Sequence, residues 1–433
     1  SSELPRPDSD PVRVLLLGEK LIAFRDTNGK VGLIQNHCPH RGASLFFGRN
    51  EEAGLRCVYH GWKFDVTGQC IDMPNEPAES NFKAKVKAVA YPTQERGGIV
   101  WAYMGPREIP PALPDIEANM QGELSVANAV QRECNWLQCA EGEMDTSHSG
   151  LLHFGSLKAE DQPKGTFAEY MLKDRAPQYS VLETAAGMTY GAYRDADPGE
   201  EYWRVANYLF PCYTMAPQGL LGHTKFAVSW TPMDDHRSIM FMMAARPRQA
   251  AASGPGFGQN ANAANAGAIP NTTDWYGRFL AIANSSNDYM IDRELQRSNQ
   301  GNGGFTGIRS IIQQDQAVQD SMGPIMDRTQ EHLATSDTMI IQTRRRILAA
   351  SARSKRTAHR RPASTTRTAT ASGPVGRSCP KASIGWRPPR TCARPSSTTR
   401  SSIPQSPVAA SPASPKAPAS RPRARTIRTH RPG

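Results

Sequence analysis

The chain has 433 residues, with 51 Lys or Arg against 40 Asp or Glu and a formal net charge of +11. That sum hides two unlike pieces: residues 351–433 hold 18 of the basic residues and no acid, which leaves 33 basic and 40 acidic residues in 1–350. A nucleic-acid reading therefore rests on the tail alone, no apolar run approaches the ~18 residues of a membrane helix, and no charged-then-apolar leader is visible.

A soluble cytoplasmic protein is the expectation. Ser1 is followed almost at once by strand-like text from Val12, which suggests a preceding piece. Val12–Leu17, Leu21–Phe24 and Val31–Ile34 read as strands, with Asn28-Gly29 as a hairpin signal. Thr67-Gly68 and Gly97-Gly98 mark further turns, so 11–105 reads as a small all-β unit. Pro106–Pro114 is a proline-rich linker. Asn135–Leu152 has helical spacing with Trp136, Cys139 and Ala140 on one side. Strand texture returns over 180–245, at Tyr202–Leu209, Tyr213–Ala216, Thr224–Trp230 and Ile239–Ala244. Residues 249–270 read as a flexible Ala/Gly/Asn-rich loop, and Trp275–Leu348 as mostly helical.

Residues 351–433 carry too few bulky apolar groups to fold. Either this is a natural basic disordered tail, or the reading frame of a GC-rich gene shifts near residue 350. The abruptness of the change favours the shift.

Eight cysteines lack the dense spacing of a secreted disulfide scaffold. Cys70, Cys134, Cys139, Cys212, Cys379 and Cys392 read as small buried hydrophobes. Cys38 and Cys57 differ, because each lies beside a histidine. Cys38-Pro39-His40-Arg41-Gly42 and Cys57-Val58-Tyr59-His60-Gly61-Trp62 each offer one thiolate and one imidazole. A [2Fe–2S] cluster takes two thiolates on one iron and two imidazoles on the other. Structural zinc also accepts two Cys and two His, but zinc fingers usually pair Cys with Cys and His with His.

Further on stand Asn135-Trp136-Leu137-Gln138, Glu141-Gly142, Asp145-Thr146-Ser147-His148 and His153. At ~100° per residue, His148 and His153 lie about 140° apart on a straight helix, too far for one ion. Gly150 between them is where the helix is expected to break. Two His and one carboxylate with open positions suit a non-haem Fe(II) oxygenase, while a nearby acid could instead orient a ligand imidazole. A helix-surface pair Asp145–His148 with a core His153 is the competing reading.

The Cys-Pro-His-Arg-Gly and Cys-x-x-His-Gly-Trp segments resemble the Rieske family closely. With Asp145, His148 and His153 downstream, residues 11–350 resemble the oxygenase (alpha) subunits of aromatic ring-hydroxylating Rieske oxygenases, most of all the phthalate 4,5-dioxygenase-like branch. The resemblance implies an α+β fold. An all-β Rieske domain would span 1–110, with Cys38, His40, Cys57 and His60 holding the [2Fe–2S] cluster. A helix-grip-like catalytic domain of antiparallel sheet and helices would span 111–350, ahead of the 351–433 tail.

The resemblance further implies that His148 and His153 ligate a mononuclear Fe(II). Asp145 would carry electrons from a neighbouring subunit's cluster, received through His60, in a trimer. The third ligand should be a late acid: Asp315, with Asp320 as runner-up. O2 would be the co-substrate, and electrons would come from a separate NADH-dependent flavin and iron–sulfur reductase. An aromatic, phthalate-like acid would be hydroxylated; aryl-ether cleavage or O-demethylation is the alternative. A substrate carboxylate would want an arginine. Arg175, Arg194 and Arg204 fall in the right region, although each alone reads more readily as an exposed salt-bridging residue. The sequence departs from the family at both ends, where an N-terminal helical segment and the usual C-terminal stretch are expected.

A Rieske ferredoxin would end near residue 110 and would not need Asp145, His148 and His153. A basic-tailed nucleic-acid-binding protein with a structural metal is the alternative from another class.

Overall fold

The computed structural model describes residues 2–77, 79–217, 225–245, 267–357 and 375–380. Its first sheet pairs β1 (Val12–Leu16), β2 (Glu19–Arg25) and β3 (Val31–Gln35) antiparallel in that order. Alternation puts Leu21 and Ala23 on one face of β2, and Ile22 and Phe24 on the other. All four are buried, so this strand separates two apolar clusters. The expected turn forms between β2 and β3, with Gly29 at φ +79°.

A second sheet follows in simple order: β4 (Arg49–Glu51), β5 (Gly54–Arg56), β6 (Lys63–Phe64) and β7 (Cys70–Asp72). The β3–β4 connection carries Cys38 and His40; the β5–β6 connection carries Cys57 and His60. The hairpin of β8 (Thr93–Arg96) and β9 (Ile99–Ala102) turns at Gly97-Gly98, both at positive φ, and ends the all-β unit.

β10 (Ser125–Arg132) opens the larger sheet and leads into α1 (Trp136–Met144), α2 (Ser149–Leu152) and α3 (Phe167–Lys173). Five strands follow: β11 (Gln178–Glu183), β12 (Gly187–Asp195), β13 (Glu200–Leu209), β14 (Tyr213–Met215) and β15 (Phe226–Pro232). With β16 (Ser238–Ala245) they pair antiparallel in the order β10-β16-β15-β14-β13-β12-β11.

Three helices come later: α4 (Arg293–Ser298), α5 (Ile311–Ser321) and α6 (Thr338–Thr357). α1 lies on β13–β15 and α6 on β11 and β12. Between them Cys139, Ala140 and Met144 of α1 and Met339 of α6 pack on Tyr190, Tyr208, Trp230 and Met240 of the sheet. Full burial of each large apolar side chain contributes roughly 1.5–3 kcal/mol, so this face fixes where the helices sit.

Three expectations need correction. Residues 267–310 are mostly irregular or 3-10, with α4 the one α-helix among them; the helical text begins in earnest at Ile311. The residues there are rich in Gly, Asn, Ser and Asp, which favour local side-chain-to-backbone bonds over helix. The tail boundary read at 350 falls inside α6, which runs to Thr357 through Ala, Arg and Lys, all good helix formers. And β17 (Val375–Pro380) pairs antiparallel with Glu200–Val205 of β13. β14 is only three residues long and covers β13 from Asn207 to Leu209, so the rest of that edge is open to pairing. The expected loop at 249–270 lies outside the described residues up to 266.

Candidate metal centres

Two similar loops present the N-terminal donors. In the first, the Gly42 amide donates to the Cys38 carbonyl at 2.9 Å; in the second, the Gly61 amide donates to the Cys57 carbonyl at 2.9 Å. Each closing glycine is left-handed, Gly42 at φ +77° and Gly61 at φ +80°, a backbone conformation glycine adopts at little cost. A Cβ on Gly61 would also collide with Pro74.

Cys38 and Cys57 are buried, while His40 and His60 are half-buried at the outer end. Burial, with the neighbouring Cys57, pushes the Cys38 thiol up to about 11. The His40 and His60 rings stand 4.4 Å apart, and Trp62 stacks on His40 at 4.4 Å. Arg56 buttresses the second loop, donating to the Gly61 carbonyl at 2.8 Å while paired with Asp72.

The donors therefore group as thiol beside thiol and imidazole beside imidazole. No three of them lie within 4.8 Å of one another; among the described residues only His148, His153 and Asp315 do so. A single zinc with bonds of ~2.0–2.3 Å would draw all four to within ~4 Å. Two adjoining thiols opposite two adjoining imidazoles suit a cluster with one iron at each end. The Nδ1 of His40 is buried without a hydrogen-bond partner among the described residues, a donor atom left for such a group.

The second site forms where α1 ends. Asn135 caps α1, its side chain accepting from the Leu137 amide at 3.0 Å. The helix stops at Asp145, which is extended and accepts from the Ser147 amide at 2.7 Å and its hydroxyl at 2.6 Å. So the break is an Asp turn ahead of His148, not at Gly150, which lies inside α2. His148 and His153 flank that single turn, and their Nε2 atoms come to 3.1 Å.

Asp315 reaches them from α5. Its Oδ1 lies 3.5 Å from His148 Nε2 and 3.3 Å from His153 Nε2. The approach depends on Gly142, where a Cβ would strike the Gln319 amide of α5. Asp320, the runner-up, is occupied elsewhere: it accepts from the Glu133 amide at 3.0 Å and the Tyr289 hydroxyl at 2.8 Å.

Behind the facing nitrogens, the other ring atoms have partners. His148 Nδ1 lies 3.5 Å from Asp145, and His153 Nδ1 lies 2.7 Å from Gln314 Oε1. Burial would lower His148, but the Asp145 hydrogen bond and the charges of Asp315, Asp145 and Glu143 raise it to about 9. His153, more deeply buried, is lowered. Glu143 keeps some accessible area because it faces the same small pocket; burial and the charge of Asp315 raise it to about 7. Three carboxyls around two imidazoles, with two ring nitrogens at 3.1 Å, form an arrangement that a divalent cation relieves.

The pocket is also lined by Tyr190 and Arg204. Here the sequence reading of the arginines fails. Arg194 and Arg204 are buried at 1% and 5% exposure. Arg204 stacks over Phe167 at 3.7 Å and donates through Nη2 to the Pro217 carbonyl at 2.8 Å, while its buried Nη1 has no hydrogen-bond partner among the described residues. Arg175 is exposed as expected. Gln314, Glu143 and Tyr190 carried no sequence signal, because their roles depend on which elements meet. Gln314 adjoins Asp315, and a polar residue beside an expected ligand is the one hint that was available.

A larger cavity, of about 860 Å³, lies between the first sheet and the β10/β16 face, lined by apolar groups such as Val14, Leu16, Trp101 and Phe241. It brings no metal-ligating cluster together, so the chemistry belongs to the pocket at α2 and α5.

A two-thiol, two-imidazole loop pair, joined in one chain to a two-His, one-carboxylate site under an antiparallel sheet, defines a Rieske-type non-haem iron oxygenase. Comparison with known proteins agrees. Residues 1–90 match the Rieske [2Fe-2S] domain, and residues 102–372 match the family described as LigXa C-terminal domain like. The chain is 46% identical over 361 residues to the 3-chlorobenzoate-3,4-dioxygenase oxygenase subunit of Comamonas testosteroni, covering 81% of each. It is 38% identical over 370 residues to the phthalate 4,5-dioxygenase oxygenase subunit of Pseudomonas putida, covering 80% of this chain and 78% of that one. Dicamba monooxygenase bound to dicamba shares the fold, with a TM-score of 0.55 at 17% identity over 82% of this chain and 96% of that chain.

The chain belongs to the aromatic ring-hydroxylating Rieske oxygenases, as an oxygenase subunit of the phthalate 4,5-dioxygenase-like group. It is an oxidoreductase whose cofactors are a [2Fe–2S] cluster and Fe(II), with O2 as co-substrate. It works with a reductase and an aromatic substrate. Among the described residues no helix is long and apolar enough to cross a membrane.

Proposed function

We propose that this chain hydroxylates an aromatic acid, and that the acid's carboxylate is held by Arg204. The observation that carries this is the buried guanidinium in the iron pocket, whose Nη1 has no hydrogen-bond partner among the described residues. A substrate carboxylate supplies both the acceptor and the charge. The printed names of relatives acting on 3-chlorobenzoate and phthalate support an acid of that class. A relative at 31% identity named as the 5,5'-dehydrodivanillate O-demethylase of Sphingobium favours O-demethylation as the second reading.

In this reading Cys38, His40, Cys57 and His60 hold the cluster, and His148, His153 and Asp315 hold the iron. When bound, these groups relay single electrons and activate O2 beside the substrate. The protein's own work is placement. Asp145 orients His148 and links it toward the electron entry at His60 of a neighbouring subunit in a cytoplasmic homotrimer. Electrons arrive from an NADH-dependent flavin and iron–sulfur reductase. Residues 1–110 form the electron-relay domain and 111–350 the catalytic domain.

The test is O2 uptake and product analysis with a supplied reductase. The panel holds phthalate, 3-chlorobenzoate, a methoxybenzoate and the matching neutral amides. Acids should turn over and amides should not. Arg204→Gln should raise KM for the acid about 10- to 100-fold, from the ~1.5–3 kcal/mol of a hydrogen bond to a charged group. Equal turnover of amide and acid would contradict the carboxylate role.

A further inference from the structure

We propose that Gln314 is a positioning residue of the mononuclear centre, a neutral lock that keeps the His153 proton on Nδ1 and leaves Nε2 for the metal. The inference rests on reading His153 as a ligand.

Gln314 is 1% exposed, on the first turn of α5, one residue before Asp315. Its Nε2 donates to the Ile308 carbonyl at 2.6 Å. A carbonyl oxygen only accepts, so this contact settles which way the amide faces. Oε1 is thereby turned to His153 Nδ1 at 2.7 Å, where it accepts. A neutral imidazole carries one ring proton. With that proton on Nδ1, the His153 Nε2 lone pair is bare, 3.3 Å from Asp315 Oδ1 and 3.1 Å from His148 Nε2. In the absence of a cation, His148 Nε2 donates to that lone pair when it carries a proton, and the Gln314 bond keeps the His153 proton from moving to Nε2.

The two histidines are backed differently. His148 has a carboxylate behind it, Asp145 at 3.5 Å; His153 has an amide. Asp145, Glu143 and Asp315 already gather negative charge here. An amide fixes the tautomer and ring orientation without adding more. One residue of α5 thus supplies the carboxylate and its neighbour sets the imidazole that shares the ion.

Two variants test this in the full chain: Gln314→Met, similar in length but without an acceptor, and Gln314→Glu, which restores one. Ferrous ion is titrated into protein stripped of mononuclear iron, with the visible absorbance of the cluster as an internal control. Gln314→Met should bind Fe2+ about 10- to 100-fold more weakly, the usual cost of losing a partner behind a ligand histidine, with cluster absorbance unchanged. Nitrogen-15 spectra of the iron-free site should show His153 protonated at Nδ1 in the parent and moved toward Nε2 in Gln314→Met. Gln314→Glu should recover most of the affinity. If Gln314→Met also loses the cluster, that recovery decides: affinity restored in Gln314→Glu supports the lock, and affinity not restored overturns it. Unchanged affinity and tautomer in Gln314→Met, with iron lost in His153→Ala, overturns the lock alone. Iron retained in His153→Ala overturns the ligand reading beneath it.

Discussion

Asp145 is held in three ways at once: by the Ser147 amide, by the Ser147 hydroxyl, and by proximity to His148 Nδ1. It ends α1 and, with the same carboxylate, faces His148, the histidine proposed above as an iron ligand. Burial would raise it, yet the hydrogen bonds from His148 and Ser147 keep it below the usual carboxylate range. Asp145→Asn preserves size and both serine contacts while removing the charge. It should leave both metals bound and reduce turnover to a few per cent or less, read as iron content and single-turnover rate. Substantial residual turnover would refute its place in the electron path. At this scale the sequence was most legible where donors are near neighbours. Cys38, His40, Cys57 and His60 sit on two short loops whose spacing alone suggests the chemistry. Arg204 and Gln314 were illegible as site residues, because their meaning depends on burial and on partners more than ten residues away.

α1 is held from outside as well as by its core face. Arg344 of α6 reaches Glu141 through Nε at 2.6 Å and Nη2 at 2.8 Å. The same guanidinium binds Glu331 at 2.5 and 2.9 Å, and Arg328 adds a bond to Glu141 at 2.9 Å. Glu141 is buried, and removing Arg344 leaves its carboxylate with Arg328 alone. Arg344→Met should cost about 1.5–3 kcal/mol of stability, measured by denaturant unfolding, and should loosen the helix that leads into the iron site. A pH effect follows. The Arg344 hydrogen bond lowers Glu331 from its ordinary 4.5, so its contribution is complete above that value and is lost as pH falls through the lower native one. Stability of the parent should therefore decline more steeply below about pH 4.5 than that of Glu331→Gln; parallel curves would contradict the clamp. Of the larger sheet, β13 to β16 were legible from their strand texture, whereas β10, β11 and β12 were not singled out. The helix break was misplaced, because a glycine is a weaker signal than an aspartate that can bond its own backbone two residues on.

For the whole molecule, the order of elements puts the electron-relay loops and the iron pocket in separate parts of one chain, 88 positions apart from His60 to His148. The tail adds a different question, since β17 pairs with β13 although its composition is that of a poor folder. Sequencing the coding DNA from an independent clone should show an altered frame near residue 350; an uninterrupted frame would make the basic tail native. The central claim, two distinct iron centres in one polypeptide, is tested most directly by metal and sulfide analysis of the reconstituted chain beside Asp315→Ala. The account predicts about three irons and two acid-labile sulfides per chain, with the variant losing one iron and no sulfide. Zinc without sulfide, or an Asp315→Ala chain that keeps all its iron, would contradict it.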